Sequence, residues 1–264
     1  MKTLKYFVLI SFFFFSCNKE NEENEFINFQ NEVNQYQFEN MLQLNIERAD
    51  DSYKYPIIPG TEEWKNLKTG EEMLEVCQIN ANVLEEMSTQ SIIIAILEFP
   101  TLLDVFHRHQ YQADFNQLFT RLNACKELTK RKDASETLIN LLKVVDPLAE
   151  GSERISMVLE LLICQKEFLS KMNNNVKKNV VRAALRNDKL RQNHPKLSNS
   201  NNRLIALILT GKIMVEANYL DFKNKMKSNE ELRRFIDDIW YVYIIHERNS
   251  DIPKLIFENG NKFI

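Results

Sequence analysis

An all-α fold is what this 264-residue sequence predicts, and three observations carry that expectation. The chain holds only five glycines and six prolines, fewer than strand-and-turn folds or phosphate-cradling loops consume. Apolar residues recur at three-and-four spacing through most of the chain after residue 60. Capping residues stand just ahead of those runs, and Thr69-x-x-Glu72, Asp133-x-x-Glu136 and Ser228-x-x-Glu231 have capping-box spacing. The expected architecture is a set of short helical hairpins followed by longer packed helices. That describes an irregular helical bundle or a loose helical-hairpin stack.

Taken in order, Pro59-Gly60 is a turn pair and Thr61 caps a short helix whose Trp64 reads as a core anchor. Thr69 opens a helix with Met73, Leu74 and Cys77 on one face. Asn80 caps the next, with Val83, Leu84 and Met87 inward, and Ser88 begins "TQSIIIAILEF", which Pro100 stops. "QADFNQLFTRLNACKEL" reads as one helix burying Phe115, Leu118, Phe119, Leu122 and Cys125. Asp133 caps "ASETLINLLKVV", and Asp146-Pro147 ends it.

The second half reads as longer helices. "SERISMVLELLICQKEFLSKM" buries Ile155, Val158, Leu159 and Leu162 and, round the turn, Leu161, Cys164 and Phe168. "NNVKKNVVRAALRNDKLRQ" follows, and the polar loop near residues 193–202 is the expected internal subdivision. "RLIALILTGKIMVEANYLDFKNKM" is apolar over much of its first half, which predicts a central, buried helix. Ser228 caps the last expected helix, where Phe235, Ile236, Ile239, Trp240, Tyr243 and Ile244 keep a 3.6 period.

The N-terminus has a different character. Lys2 and Lys5 precede an apolar run from Tyr6 to Phe15, about 15 Å long as a helix and too short for a bilayer core of about 30 Å. A basic start and an apolar run of this size form a secretory signal, with Ser16 as the small residue before the cut. The box Phe14-Phe15-Ser16-Cys17 resembles the cleavage site of bacterial lipoproteins. That resemblance implies residues 1–16 as signal peptide and an acylated Cys17 as first mature residue, with the acyl chains holding the protein to a membrane. An ordinary secretory cut near Ser16 is the alternative. Residues 17–25 are a polar tether, too poor in apolar surface to order, and residues 26–264 are the helical domain. Lys19 and Glu20 are similar to the short signal of surface-exported lipoproteins, and a plain linker fits them equally.

A second resemblance covers Tyr55 to Leu142. Tyr55-Pro56, Pro59-Gly60-Thr61-Glu62-Glu63-Trp64 and Cys77-Gln78-Ile79 are similar to a group of uncharacterised secreted or lipid-anchored bacterial proteins. The resemblance implies an exported helical domain and carries no catalytic residue with it.

Candidate chemistry is sparse. The net charge of −3 offers phosphate backbones no general attraction, so nucleic acid is not an expected partner. Cys77, Cys125 and Cys164 lie on apolar stripes and read as core thiols, with one disulfide among them open in an exported protein. His107 and His109, two residues apart, would point about 200° apart on a helix, and His246 lacks a second histidine four residues on. His194 falls in the polar loop. No metal site, cofactor or catalytic residue is therefore assigned. Glu153, Glu160 and Glu167 repeat every seven residues and read as a solvated face, as does the basic run from Lys177 to Arg191. The expected function is a lipid-anchored, outer-membrane binding or interaction protein with an unknown protein or glycan ligand. The alternatives are an envelope hydrolase acting on glycan or peptide through acidic residues, or an assembly factor beside an outer-membrane complex.

Overall fold

Fourteen helices and no strand occur among the described residues, as the apolar spacing predicts. The computed structural model describes residues 49–102, 111–149, 152–195, 197, 203–237 and 251–264. The signal segment, Cys17 and the tether lie outside them, as do Ile239, Trp240, Tyr243 and Ile244.

Turn and cap residues keep the first helices short. Gly60 takes φ 96°, a conformation that costs glycine little, and the Thr61 N–H closes the turn on the Ile58 carbonyl at 3.1 Å. The Thr61 hydroxyl accepts from the Trp64 N–H at 3.2 Å and opens α1 (Glu62–Lys65), which puts Trp64 in the core with no exposed surface. Thr69 and Glu72 form the expected capping box of α2 (Gly70–Val76). Asn80 caps α3 (Ala81–Glu86) and Ser88 caps α4 (Thr89–Leu97). Val83, expected inward, is 42% exposed. It sits about 100° round from Leu84, and a helix of this length buries only the Leu84–Met87 edge. Asp51 folds back onto the start of α4. Hydrogen bonds from the Ser91 hydroxyl and the Ser88 N–H hold its carboxyl below the usual carboxylate range.

The segment expected as one helix over 112–128 is two, α5 (Tyr111–Arg121) and α6 (Asn123–Lys130). Leu122 between them is extended, with φ −75° and ψ 123°, and has no side-chain group to cap α6. Gln78 supplies that partner from another part of the chain: its Oε1 accepts from the Asn123 N–H at 2.9 Å. Asn123 answers with Nδ2 donating to the Ile79 carbonyl at 2.6 Å and Oδ1 accepting from the Ile79 N–H at 3.1 Å. The break thus fastens two hairpins together. Asp133, at the start of α7 (Ala134–Val144), does not cap as expected. Its backbone is not extended (φ −92°, ψ 2°), and its carboxylate accepts instead from the Thr89 hydroxyl at 2.6 Å, tying α7 to α4.

Two more expected helices are also broken. α8 (Ser152–Ile163) and α9 (Lys166–Leu169) are separated at Gln165, whose Nε2 donates to the Leu161 carbonyl at 2.9 Å. α10 (Asn174–Gln192) runs unbroken and is capped by Asn173. α11 (Arg203–Glu216) and α12 (Leu220–Ser228) part at Asn218, which takes φ 55°. Its N–H donates to the Val215 carbonyl and the Tyr219 N–H to the Met214 carbonyl, both at 3.0 Å, which is a Schellman ending with asparagine in glycine's usual place. Asn229, not Ser228, caps α13 (Glu230–Asp237): its Oδ1 accepts from the Leu232 N–H, while Ser228 is still the last residue of α12. α14 (Ile252–Phe263), with a proline in its first turn, has no counterpart in the sequence reading.

α11 is the centre. Leu204 to Leu209, Ile213 and Met214 are each 3% exposed or less. α8, α10, α12, α13 and α14 all pack against it, and α10 lies along it most extensively. Two glycines allow that closeness, Gly211 against Ile236 and Phe222 and Gly260 on α14. A Cβ on Gly260 would come 2.8 Å from Thr210 Cγ2 and 3.1 Å from Leu185 Cδ1, and Thr210 is held by its hydroxyl donating to the Ala206 carbonyl at 2.9 Å. Gly70, at the start of α2, meets nothing within 4 Å. Gly260→Ala should therefore lower stability by about 1–3 kcal/mol through overpacking, whereas Gly70→Ala should raise it by up to about 1 kcal/mol. Urea melts of the two variants check the contrast, and equal shifts would contradict the close α11–α14 contact.

Candidate functional site

A groove runs between α7 and the start of α10. On α7 the core takes Leu138, Ile139, Leu141 and Leu142, which leaves a polar stripe, Glu136, Asn140 and Lys143, at helical spacing, with Lys132 just ahead of the helix. On α10 the core takes Val180, Val181, Ala184 and Leu185, which leaves Asn179, Arg182 and Arg186 outward. Lys171, Met172 and Asn173, between α9 and α10, close one end. The two stripes bound a hollow of about 420 Å³, with Ile139, Met172 and Val176 as apolar lining. A second hollow of about 290 Å³ continues it past Lys143 and Asn179, which line both, toward Arg182 and Arg186.

Charge in the groove is predominantly positive. Lys132, Lys143, Lys171, Arg182 and Arg186 line it against a single carboxylate, Glu136. Two of the cations are held in place. Lys171 Nζ donates to the Thr129 carbonyl at 2.8 Å, and Arg182 donates to Asn179 Oδ1 at 2.8 Å and to the Ile264 carbonyl at 3.0 Å. This arrangement can hold an anion and hydrogen-bond its polar groups. General acid–base hydrolysis of a glycoside takes a pair of carboxylates, and Glu136 has none opposite it in the groove.

The residues singled out from sequence do not assemble into a site. Cys17, His107, His109 and His246 lie outside the described residues. Trp64 is core. Cys77, Cys125 and Cys164 are buried, free thiols on three different segments, so no disulfide links them. Burial pushes the Cys77 and Cys164 thiols up to about 12 and the Cys125 thiol higher still, the opposite of the activation a nucleophilic thiol needs. His194 is half-buried, with Nδ1 out of solvent and without a hydrogen-bond partner. Among the described residues no group of three or more His, Cys, Asp or Glu side chains is placed to hold a metal ion.

One expectation is overturned outright. Glu160, read as part of a solvated face, is fully buried, as is Arg191 from the basic run. Glu160 Oε2 lies 2.9 Å from Arg191 Nη1. Arg191 Nη2 donates to Ser156 Oγ at 2.6 Å, and Asn187 Nδ2 donates at 3.2 Å to both Ser156 Oγ and Glu160 Oε1. The seven-residue repeat misled because α8 is buried on every side there, so Glu160 had to find a partner inside. Glu167, one repeat on, is exposed as expected. A signal existed: Val180, Ala184, Asn187 and Arg191 extend one helical stripe, so the polar pair continues a buried face.

The groove had no such signal. Its residues come from two helices far apart in sequence, and each stripe alone looks like ordinary solvated surface. No protein-family model, no curated protein and no solved structure matches the chain.

Arg191→Met should cost about 3–5 kcal/mol, because it strands the Glu160 carboxylate away from water. Combining it with Glu160→Leu should recover most of that loss. Denaturant melts of the single and double variants measure it, and a single variant within 1 kcal/mol of the parent protein, roughly the range of an exposed pair, would contradict the buried pair. For the thiols, a Cys17→Ser chain should resist alkylation while folded. It should then take three labels after denaturation without reductant. Rapid labelling of any one thiol in the folded protein would contradict the core assignment.

Proposed function

We propose that the protein is a lipid-anchored helical binding module of the cell envelope. It is held by acyl chains on Cys17 and contacts a protein or glycan ligand through the α7–α10 groove. The observation that carries the binding reading is the groove itself, where polar stripes of two helices face each other over a small apolar lining. A hydrolase would need a second carboxylate opposite Glu136, and the facing positions are Lys171, Asn173 and Asn179.

The anchoring reading rests on the lipoprotein-like box at Phe14-Phe15-Ser16-Cys17 and on the polar residues that follow it. No helix among the described residues is long and apolar enough to cross a membrane. Acyl chains bury enough methylenes to hold a protein of this size only when two or more act together, as lipoprotein processing would supply at one cysteine. Lys19 and Glu20 match the short signal of surface-exported lipoproteins as well as they match a plain linker, so the reading stops at the membrane anchor.

Cys17→Ser should move the protein from the membrane to the soluble fraction and abolish its labelling by radioactive palmitate. A variant that still sediments with membranes after a high-salt wash would contradict the anchor.

A further inference from the structure

We propose that the α7–α10 groove binds an acidic polysaccharide, a glycan bearing carboxylate or sulfate groups along its length. This rests on the groove being the ligand-contact surface.

Three features converge on that chemistry. The first is charge: five cations and one carboxylate line the groove of a chain whose net charge is −3, so this concave surface is positive where the chain as a whole is not. Lys132, Lys143 and Arg186 make no hydrogen bond or ion pair with the described residues. The first turn of α10, which opens onto the same hollow, carries no acidic residue, so its helix dipole adds to the field instead of being offset. Like charges gathered this way repel one another until an anion enters.

The second feature is shape. The two hollows share Lys143 and Asn179 and form one trough. Its α7 edge, from Ser135 to Lys143, is about 12 Å long at ~1.5 Å per residue, and Lys132 lies just beyond it. Cations at intervals along a trough suit charges at intervals along a chain better than one compact anion.

The third is what the lining offers besides charge. Ser135, Asn140, Asn173 and Asn179 bring hydroxyl and amide groups that pair with hydroxyl-rich ligands. No aromatic ring lines either hollow. Stacking of nucleobases therefore has no platform there, and recognition depends on ions and hydrogen bonds. Nor does the groove present a free strand edge along which a peptide backbone could pair.

The test uses the full chain in detergent, titrated at low salt with polygalacturonate, dextran sulfate, neutral dextran and polyglutamate. The expected result is saturable binding of at least one acidic glycan, with dextran and polyglutamate at least about tenfold weaker. Lys132→Glu combined with Lys143→Glu should weaken glycan binding by about tenfold or more, at roughly one exposed charge contact per site. Lys54→Glu combined with Lys68→Glu makes the same change in net charge away from the groove and should leave binding unchanged. Groove-dependent binding of dextran, or of polyglutamate as tightly as the acidic glycan, would overturn the ligand class while leaving the groove as a contact surface. Equal weakening by both double variants, or binding indifferent to the groove lysines, would overturn the inference and the groove reading together. Failure of both acidic glycans to bind would overturn the inference.

Discussion

The structure depends on one helix whose first two turns have no polar face. From Leu204 to Leu209 every residue of α11 is out of water, so the chain after α7 has to enclose it on all sides. At about 25 cal/mol per Å² of apolar surface, leaving one face open would forfeit several kcal/mol. α8, α10, α12, α13 and α14 are the enclosure. Where they come closest a side chain has to be missing, which is why glycine stands at 211 and 260 even though glycine in a helix interior costs up to about 1 kcal/mol.

That enclosure has two further consequences. α8 and α10 are drawn so far inside that polar residues on their inner faces lose water, and Ser156, Glu160, Asn187 and Arg191 satisfy one another there. Such a pair contributes little net stability, because desolvation offsets its attraction, yet it tolerates only one relative setting of α8 and α10. The same helix α10, held by its inner face, presents its outer face to α7. The groove is therefore built on rigid elements. Its cations sit at positions that the core determines.

Helix identity and the inward faces were legible in the sequence because burial in a helix leaves a local, periodic trace. Trp64, Phe115, Leu162, Phe168 and the run 204–209 all lie where their spacing puts them. Helix ends were legible where the cap is local, as at Thr61, Thr69, Asn80 and Ser88. They were not where the partner is distant. The break at Leu122 depends on Gln78, and Asp133 is diverted by Thr89, both more than forty residues away. Glu160 misled for a related reason: its periodicity matched a solvated face, and only tertiary packing decides which face meets water. α14 passed unseen because Gly260 reads as a breaker until Thr210 and Leu185 are beside it. The groove belongs to the same class, since neither of its stripes is distinctive without the other.

Native-state hydrogen exchange tests the central claim most directly. If the first two turns of α11 are enclosed on every side, the amides of residues 207–211 have no local route to solvent and should exchange only through global unfolding. Their protection would then fall with denaturant along the slope of the whole protein, and Gly260→Ala would lower it by the same amount as its global stability. Exchange of these amides at rates insensitive to denaturant, faster than those of α4 or α10, would show that the helix opens on its own and is not the centre of the fold.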